Sequence, residues 1–296
     1  MASAGATSSR PSVWIEAMRP RTLSAAVAPV LVGTGAADVF ILWRFIAALV
    51  VGVSIQIAVN FANDLFDGVR GVDTPARIGP RRAVASGAVS PALMRSAMIL
   101  AFCIAGAAGL ALTAAVGPEL LVVGVLSFLA ALGYSGGPRP YASARAGELF
   151  VFVFFGFVAT VGSYYVQEES ISQVAYLAAI PVGMLAVAIL VVNNLRDIQT
   201  DAAAGKVTLA VRMGAARTRQ FYQALVVVGL LATGAVAAAD LSALPLLALA
   251  ATPFAVRPTL AVLHGREPHE LIAALGGTAR LQLIYGVLLA VGLWAS

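Results

Sequence analysis

Charged residues are scarce in this 296-residue chain: they make up 11% of the sequence, whereas hydrophobic residues make up 60%. Soluble proteins average roughly 25% charged residues, so this composition excludes an ordinary soluble domain. Cysteine is almost absent as well. The only one is Cys103, which excludes a disulfide framework and a metal site built from thiolates. The two histidines, His264 and His269, lack the acidic or cysteine partners that a histidine metal site needs.

Long apolar runs, in contrast, are abundant. A helix that crosses the bilayer needs about 20 predominantly apolar residues, and the strict polar–apolar alternation of a membrane β-barrel is missing. The sequence therefore predicts one integral-membrane domain over residues 1–296, with a disordered segment at 1–12. The predicted fold is all-α, a polytopic bundle around a central cavity with a cytoplasmic cap. The nine predicted spans are 22–40, 45–62, 95–116, 119–135, 148–166, 173–193, 220–239, 242–261 and 279–295.

The cations fall almost entirely on one side of these spans. Eighteen of the 19 Lys and Arg residues lie in the N-terminal segment, in even-numbered loops or at the span ends that adjoin those loops, and only Arg44 lies in an odd-numbered loop. Cytoplasmic loops carry such an excess of Lys and Arg. The N-terminus is therefore predicted in the cytoplasm and, after nine crossings of the cytoplasmic membrane, the C-terminus outside. The net charge of +5 follows from this topology and gives no indication of nucleic-acid binding.

Two acidic motifs close apolar runs, where carboxylates are least expected. The first reads N-F-A-N-D-L-F-D-G-V-R-G-V-D at 60–73, and the second reads N-N-L-R-D-I-Q-T-D at 193–201. They begin 133 positions apart, or four predicted spans, so helices 1–4 and 5–8 are predicted to be parallel copies of one unit. Residues three or four apart share a helix face. The predicted rows are Asn60, Asp64 and Asp67 in the first motif and Asn193, Asp197 and Asp201 in the second.

Carboxylates that face one another in a low-dielectric pocket repel strongly, so a cation is expected between them. Oxygen ligands without His or Cys favour hard cations, with Mg²⁺ before Ca²⁺ when the partner is a phosphate. Basic loop residues would complete a site for a diphosphate on an apolar chain; they are Arg77, Arg81, Arg82, Arg139 and Lys206. Loss of the diphosphate would leave a carbocation, which aromatic rings stabilise. The candidates are Tyr134, Tyr141, Tyr164 and Tyr165, although helix length places Tyr164 and Tyr165 near the far side of the membrane.

At these motifs the chain resembles a known family. The stretches N-D-L-F-D-G-V-R-G-V-D at 63–73 and N-N-L-R-D-I-Q-T-D at 193–201 are similar to the two Asp-rich signatures of the UbiA-type intramembrane prenyltransferases. The resemblance covers essentially the whole chain. Five residues separate Asp67 from Asp73, and that spacing resembles the branch that prenylates 1,4-dihydroxy-2-naphthoate. The other matching stretches are R-P-R-T-L at 19–23, R-I-G-P-R-R at 77–82 and G-K-V-T-L-A-V-R-M-G at 205–214.

The resemblance implies a concrete activity. A polyprenyl group would pass from an isoprenyl diphosphate to 1,4-dihydroxy-2-naphthoate with loss of CO₂ and diphosphate, giving demethylmenaquinone. Two Mg²⁺ ions would be held by Asn60, Asp64, Asp67, Asn193, Asp197 and Asp201, of which the four Asp residues are the predicted catalytic groups. The diphosphate would be bound by Arg77, Arg82, Arg139 and Lys206. The acceptor would be bound by Arg19, Arg21, Asp73, Tyr134 and Tyr141.

Two alternatives stay open on the sequence alone. One is the same reaction with another aromatic acceptor, since the residues do not identify the acceptor, the prenyl length or the oligomeric state. The other is a cation-coupled membrane transporter, because parallel repeats and intramembrane Asp residues fit that class too. Both motifs are predicted at one membrane face rather than near the midplane, and this position favours the enzyme.

Overall fold

The computed structural model describes residues 11–72, 79, 82–137, 140–265 and 267–296. Helices form the regular structure there, apart from one isolated parallel bridge between Ala144 and Val207. The predicted disordered segment 1–12 lies outside the described residues except for Pro11 and Ser12, which begin the first helix. The main helices are α1 (Pro11–Met18), α2 (Ser24–Gly35), α3 (Leu42–Val69), α4 (Pro91–Val116), α5 (Glu119–Ser135), α6 (Gly147–Glu168), α7 (Gln173–Arg196), α8 (Ile198–Ala203), α9 (Leu209–Ala239), α10 (Leu244–His264) and α11 (Pro268–Trp294).

Seven of these helices are long and apolar enough to cross a membrane: α3, α4, α6, α7, α9, α10 and α11. Each of the nine predicted runs contains a helix, which confirms the all-α polytopic fold. The count of nine spans is not confirmed, because α2 and α5 have only 12 and 17 residues. At about 1.5 Å per residue they extend about 18 and 26 Å, less than the hydrocarbon thickness of about 30 Å.

The predicted first span, 22–40, stops being helical at Gly35. Beyond it, the backbone N–H groups of Val39 and Ile41 donate to the side chains of Glu168 and Gln167 at the end of α6, at 2.8 Å each. A backbone N–H that finds a side-chain acceptor on another helix does not need an intrahelical partner. The last apolar residues of the run therefore form a loop.

Two helices begin before their apolar runs do. α9 begins at Leu209 rather than at 220, with a kink at Gly214, whose φ of 77° is not helical, and α11 begins at Pro268 rather than at 279. The Thr208 hydroxyl caps α9, and Glu267 and Glu270 form a capping box at the start of α11. These caps supply acceptors for the first backbone N–H groups of each helix, so polar turns precede the apolar ones.

The core is centred on α7, the most deeply buried of the seven long helices. It is apolar on all sides and packs against α2, α6, α9 and α11, as expected for a helix in a protein interior. Its crossing with α6 depends on glycine. A Cβ atom on Gly156 of α6 would lie 2.9 Å from Cα of Gly183 on α7. The two backbones are therefore in contact, and this contact fixes the position of α6 beside the centre of the bundle.

Arg44 lies near the start of α3 and links that end of α3 to the end of α6. Its Nη1 atom lies 2.8 Å from Oε1 of Glu169 and donates to the carbonyl oxygen of Val166 at 2.9 Å. Asp67 lies near the other end of α3, about 35 Å away at about 1.5 Å per residue. The one cation predicted on the outer side thus lies at the opposite end of the helix from the first acidic motif.

Candidate active site

A cavity of about 500 Å³ lies between α2, α3, α4, α5, α6 and α7. Its wall is polar where α3 and α7 end and largely apolar elsewhere. The apolar part includes one packed cluster formed by Val30, Ala48, Leu112 and Val166. Both acidic motifs meet at the polar part, although they are 133 positions apart. The motif residues that line it are Asn60, Asn63, Asp67, Asn193, Asn194, Asp197 and Asp201.

The first motif presents Asn60, Asn63 and Asp67 to the cavity from one face of α3. Nδ2 of Asn60 donates to the carbonyl oxygen of Met18 at 2.8 Å, which holds the segment before α2 against α3. Oδ1 of Asn63 accepts from the hydroxyl of Ser135 at the end of α5. Sequence reasoning selected Asn60 and missed Asn63. Asn63 follows Asn60 by three residues and precedes Asp67 by four, and this helical spacing is the signal in the sequence that identifies Asn63.

Asp64 faces away from this row. Its carboxylate accepts from the backbone N–H groups of Ala83 at 3.0 Å and Val84 at 2.8 Å, and the residue is 2% exposed. It is not among the residues that line the cavity in the described part of the chain. Two backbone donors satisfy the buried carboxylate and hold the turn at 83–87 against α3. The structure thus gives Asp64 a positioning role that the metal-ligand prediction did not include.

The second motif contains its own cation. Arg196 donates to Asp197 from Nε at 2.8 Å and from Nη2 at 2.6 Å, and the two side chains are 5% and 4% exposed. Nη2 also donates to Oδ1 of Asn193 at 3.0 Å. A bidentate arginine–carboxylate pair fixes geometry as well as charge. Sequence reasoning missed Arg196, although an arginine at the end of an apolar run is itself a signal.

Lys206 connects the second motif to the first. Its Nζ atom lies 3.3 Å from Oδ2 of Asp67. Its backbone N–H donates to the carbonyl oxygen of Asp201 at 2.8 Å. Gly205, just before it, has a φ of 73°, a left-handed conformation that glycine adopts without steric cost after a helix. The turn that follows α8 therefore directs Lys206 to the carboxylate on α3.

Of the two predicted arginines before α2, only Arg19 lines the cavity. Arg19 precedes Pro20, which disfavours the right-handed helical conformation, and it adopts a left-handed φ of 51°. Arg21 is exposed and lies near Gly276 of α11, so the structure does not bring it to the site. Arg82 does line the cavity. Four further predicted residues lie outside the described part of the chain: Asp73, Arg77, Arg81 and Arg139.

One wall of the cavity is aromatic. The rings of Tyr134 and Tyr141 meet edge to face with centroids 5.3 Å apart, Tyr141 stacks on Phe150 at 3.9 Å, and Phe154 follows at 6.0 Å. The turn Phe152–Val158 of α6 is π-helical, which changes the register of the side chains along the helix. Sequence reasoning found the two tyrosines. It missed the two phenylalanines, which lie in an apolar run with several others and carry no motif that marks them.

Tyr141 and the more distant tyrosines have different surroundings. Burial raises the pKa of Tyr141, so its ring stays a neutral phenol at physiological pH and offers its π face to the cavity. Tyr165 donates to Oε1 of Glu119 at 2.6 Å, and Tyr164 is buried in a separate apolar cluster. Neither Tyr164 nor Tyr165 is among the described residues that line the cavity. The structure therefore gives no support for their predicted contact with a carbocation.

Two carboxylates of the site are held in ion pairs. Asp67 is paired with Lys206, and Asp197 with Arg196. Within the described ranges, no three Asp, Glu, His or Cys side chains converge as a preformed metal cage. The donor chemistry nevertheless fits Mg²⁺, which prefers oxygen ligands, retains several waters and is usually bound through one or two carboxylates plus substrate phosphates. Asp67, Asp197 and Asp201 at one end of the cavity meet that requirement.

Solved structures with the same arrangement of helices define the class of protein. A UbiA homologue from Aeropyrum pernix K1, in the apo state, aligns with a TM-score of 0.68 at 17% identity, covering 90% of this chain and 96% of that one. A UbiA homologue from Archaeoglobus fulgidus bound to GPP and Mg²⁺ aligns with a TM-score of 0.62 at 17% identity, covering 94% and 99%. The protein therefore has the polytopic helical fold of these homologues.

Sequence comparison is more specific than the fold. The model of the UbiA prenyltransferase family matches residues 26–284, and the chain belongs to this family. It is 42% identical to a 1,4-dihydroxy-2-naphthoate octaprenyltransferase of Mycobacterium tuberculosis over 282 residues, covering 94% of this chain and 95% of that protein. It is 34% identical to the Escherichia coli protein of the same name, covering 97% of each chain.

Proposed function

We propose that the protein transfers a polyprenyl group from an isoprenyl diphosphate to 1,4-dihydroxy-2-naphthoate, releasing diphosphate and CO₂. The observation that carries the proposal is that both acidic motifs, Lys206 and the aromatic wall line one cavity that continues into an apolar interior. The names and nearly complete coverage of the relatives in M. tuberculosis and E. coli support naphthoate as the acceptor. The product is demethylmenaquinol, the reduced form of demethylmenaquinone.

The donor is assigned with its diphosphate at the polar end and its chain along the apolar wall. The A. fulgidus homologue bound to GPP and Mg²⁺ supports a metal-bound diphosphate in this fold. We assign two Mg²⁺ ions, one to Asp67 with Asn60 and one to Asp197 with Asp201. When bound, Mg²⁺ acts as a Lewis acid that neutralises charge on the leaving diphosphate. Lys206 supplies further positive charge at the same place.

The reaction is a substitution at the first carbon of the prenyl chain. Its C–O bond breaks, and the electron pair leaves with the diphosphate. The allylic cation lies beside Tyr141 and Phe150, whose ring faces stabilise positive charge. The ring carbon that bears the carboxylate of the acceptor attacks it, CO₂ departs, and the electrons of the broken C–C bond restore the aromatic ring. The apolar wall excludes water that would otherwise capture the cation.

A turnover assay tests the proposal. Purified protein in detergent, supplied with farnesyl diphosphate, carboxyl-labelled dihydroxynaphthoate and Mg²⁺, is expected to release diphosphate, labelled CO₂ and prenylated product in equal amounts. The variant Asp197→Asn should lose this activity. A panel that adds 4-hydroxybenzoate and homogentisate tests the acceptor: turnover of another acid but not of dihydroxynaphthoate would replace the assignment. Solute uptake into vesicles without any prenylated product would instead indicate a transporter.

The orientation in the cytoplasmic membrane is proposed from the charges. Eighteen of 19 Lys and Arg residues support an N-terminus and an acidic end of the cavity in the cytoplasm, with the C-terminus outside. In a Cys103→Ala background, cysteines at the exposed positions Ala216 and Ser296 should react with a membrane-impermeant maleimide from opposite sides. Labelling of Ser296→Cys from the cytoplasmic side would reverse the assignment.

The two parallel copies of four helices are likewise a proposal, supported by the two motifs that end α3 and α7 at one cavity.

A further inference from the structure

A buried carboxylate–amide pair lies next to the site and has no part in metal or diphosphate binding as assigned above. Glu148, in the first turn of α6, is 7% exposed, and Asn194, in the last turn of α7, is 8% exposed. Nδ2 of Asn194 donates to Oε1 of Glu148 at 3.0 Å. Among the described residues Glu148 has no ion pair. Because burying a carboxylate is costly, a pair of this kind needs an explanation.

The pair fixes which way the Asn194 amide points. Because Oε1 of Glu148 accepts from Nδ2, the NH₂ group of the amide lies on the side of Glu148. Oδ1 of Asn194 is left on the other side of the amide. Asn194 lines the cavity, whereas Glu148 is not among the lining residues in the described part, and no described residue donates to Oδ1. Oδ1 of Asn194 is therefore a hydrogen-bond acceptor of fixed orientation in the cavity wall.

This acceptor lies between the acidic end and the aromatic wall. Asn194 is three residues before Asp197, within one turn of it along α7. On the other side, a Cβ atom on Gly147, the neighbour of Glu148, would lie 3.7 Å from a ring carbon of Tyr134 and 3.6 Å from Leu190. An aromatic substrate stacked at this wall would place its ring substituents near the Asn194 amide.

We propose that Oδ1 of Asn194 accepts a hydrogen bond from a ring hydroxyl of the aromatic acceptor, and that Glu148 is the positioning residue that keeps the amide in this orientation. The inference rests on the proposed function and deepens it, because it names a group that recognises the acceptor. A site built to bind a hydroxyl rejects an analogue without it, since a buried polar group is then left unpaired. A hydroxyl that donates to Asn194 also enriches its ring in electron density for attack on the prenyl cation.

The experiment compares dihydroxynaphthoate with the two monohydroxy-2-naphthoates that lack one hydroxyl each. In the parent protein, removing the recognised hydroxyl should raise the acceptor KM by about tenfold and leave the donor KM unchanged. Asn194→Leu and Glu148→Leu should lose this discrimination between acceptors. Glu148→Gln should keep most of it, because the Gln oxygen still accepts from Nδ2. Thr278→Val is the matched control, since it breaks a buried 2.8 Å hydrogen bond to Tyr222 away from the cavity.

The outcomes separate this inference from the proposed function. If the parent protein does not turn over dihydroxynaphthoate at all, the proposed function fails. If it does, and both leucine variants fold but keep the parental discrimination, the role of Asn194 is refuted. The parent alone also suffices when the variants do not fold: equal KM values for all three naphthoates would overturn the proposal. Loss of discrimination in Thr278→Val as well would assign the effect to general destabilisation.

Discussion

Replacing Asp64 with Asn tests whether this carboxylate holds the loop after α3. The carboxylate accepts from the backbone N–H groups of Ala83 and Val84 at 3.0 and 2.8 Å. An Asn side chain has one acceptor oxygen, and its NH₂ group would face the second N–H. A hydrogen bond to a charged group contributes about 1.5–3 kcal/mol, and an unpaired buried donor costs about 1–3 kcal/mol. We therefore expect Asp64→Asn to lower the free energy of unfolding by about 2–3 kcal/mol.

Asp67→Asn is the matched control, because Asp67 is three residues away in the same motif. Its carboxylate makes one contact with Lys206 at 3.3 Å, and the Lys206 side chain is 19% exposed. The Asp67 side chain is 9% exposed, but the contact is a single long hydrogen bond that an Asn oxygen can still accept from lysine, so its weakening should cost about 1 kcal/mol. Asp67→Asn should therefore lose turnover while it unfolds close to the parent protein.

The assay is thermal unfolding of both variants in one detergent, combined with amide hydrogen exchange of the segment 82–90. Loss of protection at Ala83 and Val84 is expected in Asp64→Asn alone, since only that variant loses their acceptor. Equal melting temperatures for the two variants, together with unchanged exchange at these amides, would refute the positioning role and return Asp64 to the metal-ligand prediction.

Two further predictions follow from buried contacts and from the shape of the cavity. Arg196→Leu removes both hydrogen bonds that the guanidinium donates to the buried carboxylate of Asp197. A hydrogen bond to a charged group contributes about 1.5–3 kcal/mol, so the variant should have a lowered melting temperature. Gly162 lines the cavity, and a Cβ atom there meets no atom within 4 Å, so Gly162→Phe should fill part of the lumen. We expect it to shift the ratio of kcat/KM for geranyl over octaprenyl diphosphate by about tenfold or more.

Each of these two predictions has a control variant that separates the proposed cause from other effects of the substitution. Arg196→Lys keeps the charge but not the bidentate geometry, so its melting temperature should fall between those of the parent and Arg196→Leu; a parental value for Arg196→Leu would contradict the reasoning. Gly234 of α9 is exposed, lies outside the cavity and also has open space at its Cβ position. A change in donor preference in Gly234→Phe as large as that in Gly162→Phe would show that lumen volume is not the cause.

Hydropathy predicts the helices of this chain because each apolar run must satisfy its backbone within a helix wherever lipid surrounds it. The prediction fails where another helix supplies the partner. Val39 and Ile41 leave α2 because Glu168 and Gln167 accept from their N–H groups, and these partners are more than 120 positions away along the sequence. Local composition contains no information about such a contact, so the length of α2 was not predictable.

The candidate site also has residues that the sequence predicts and residues whose position depends on distant contacts. The motifs place Asp67, Asp197 and Asp201 at helix ends, and helix counting alone predicts that both motifs reach the same side. The spacing from Asn60 to Asp67 indicates that Asn63 lines the cavity. That Asp64 does not line it was not predictable, because its carboxylate is held by two backbone amides of a later turn. No local motif identifies Glu148 for the same reason, since its partner on α7 lies 46 positions away.

The two cations that are paired with site carboxylates, Arg196 and Lys206, are held to different degrees, and this difference allows charge-balanced acidic groups to accept a metal in the proposed reaction. Arg196 makes three hydrogen bonds with a side chain that is 5% exposed, so it is locked in place. Among the described residues, the Lys206 side chain makes one polar contact, at 3.3 Å, and it is 19% exposed. A lysine of this kind can leave Asp67 for an incoming diphosphate as a divalent cation takes its place. We therefore expect the first motif to exchange its counter-ion when the substrate binds and the second motif to keep its geometry, which is why substitution of Arg196 is expected to act on stability.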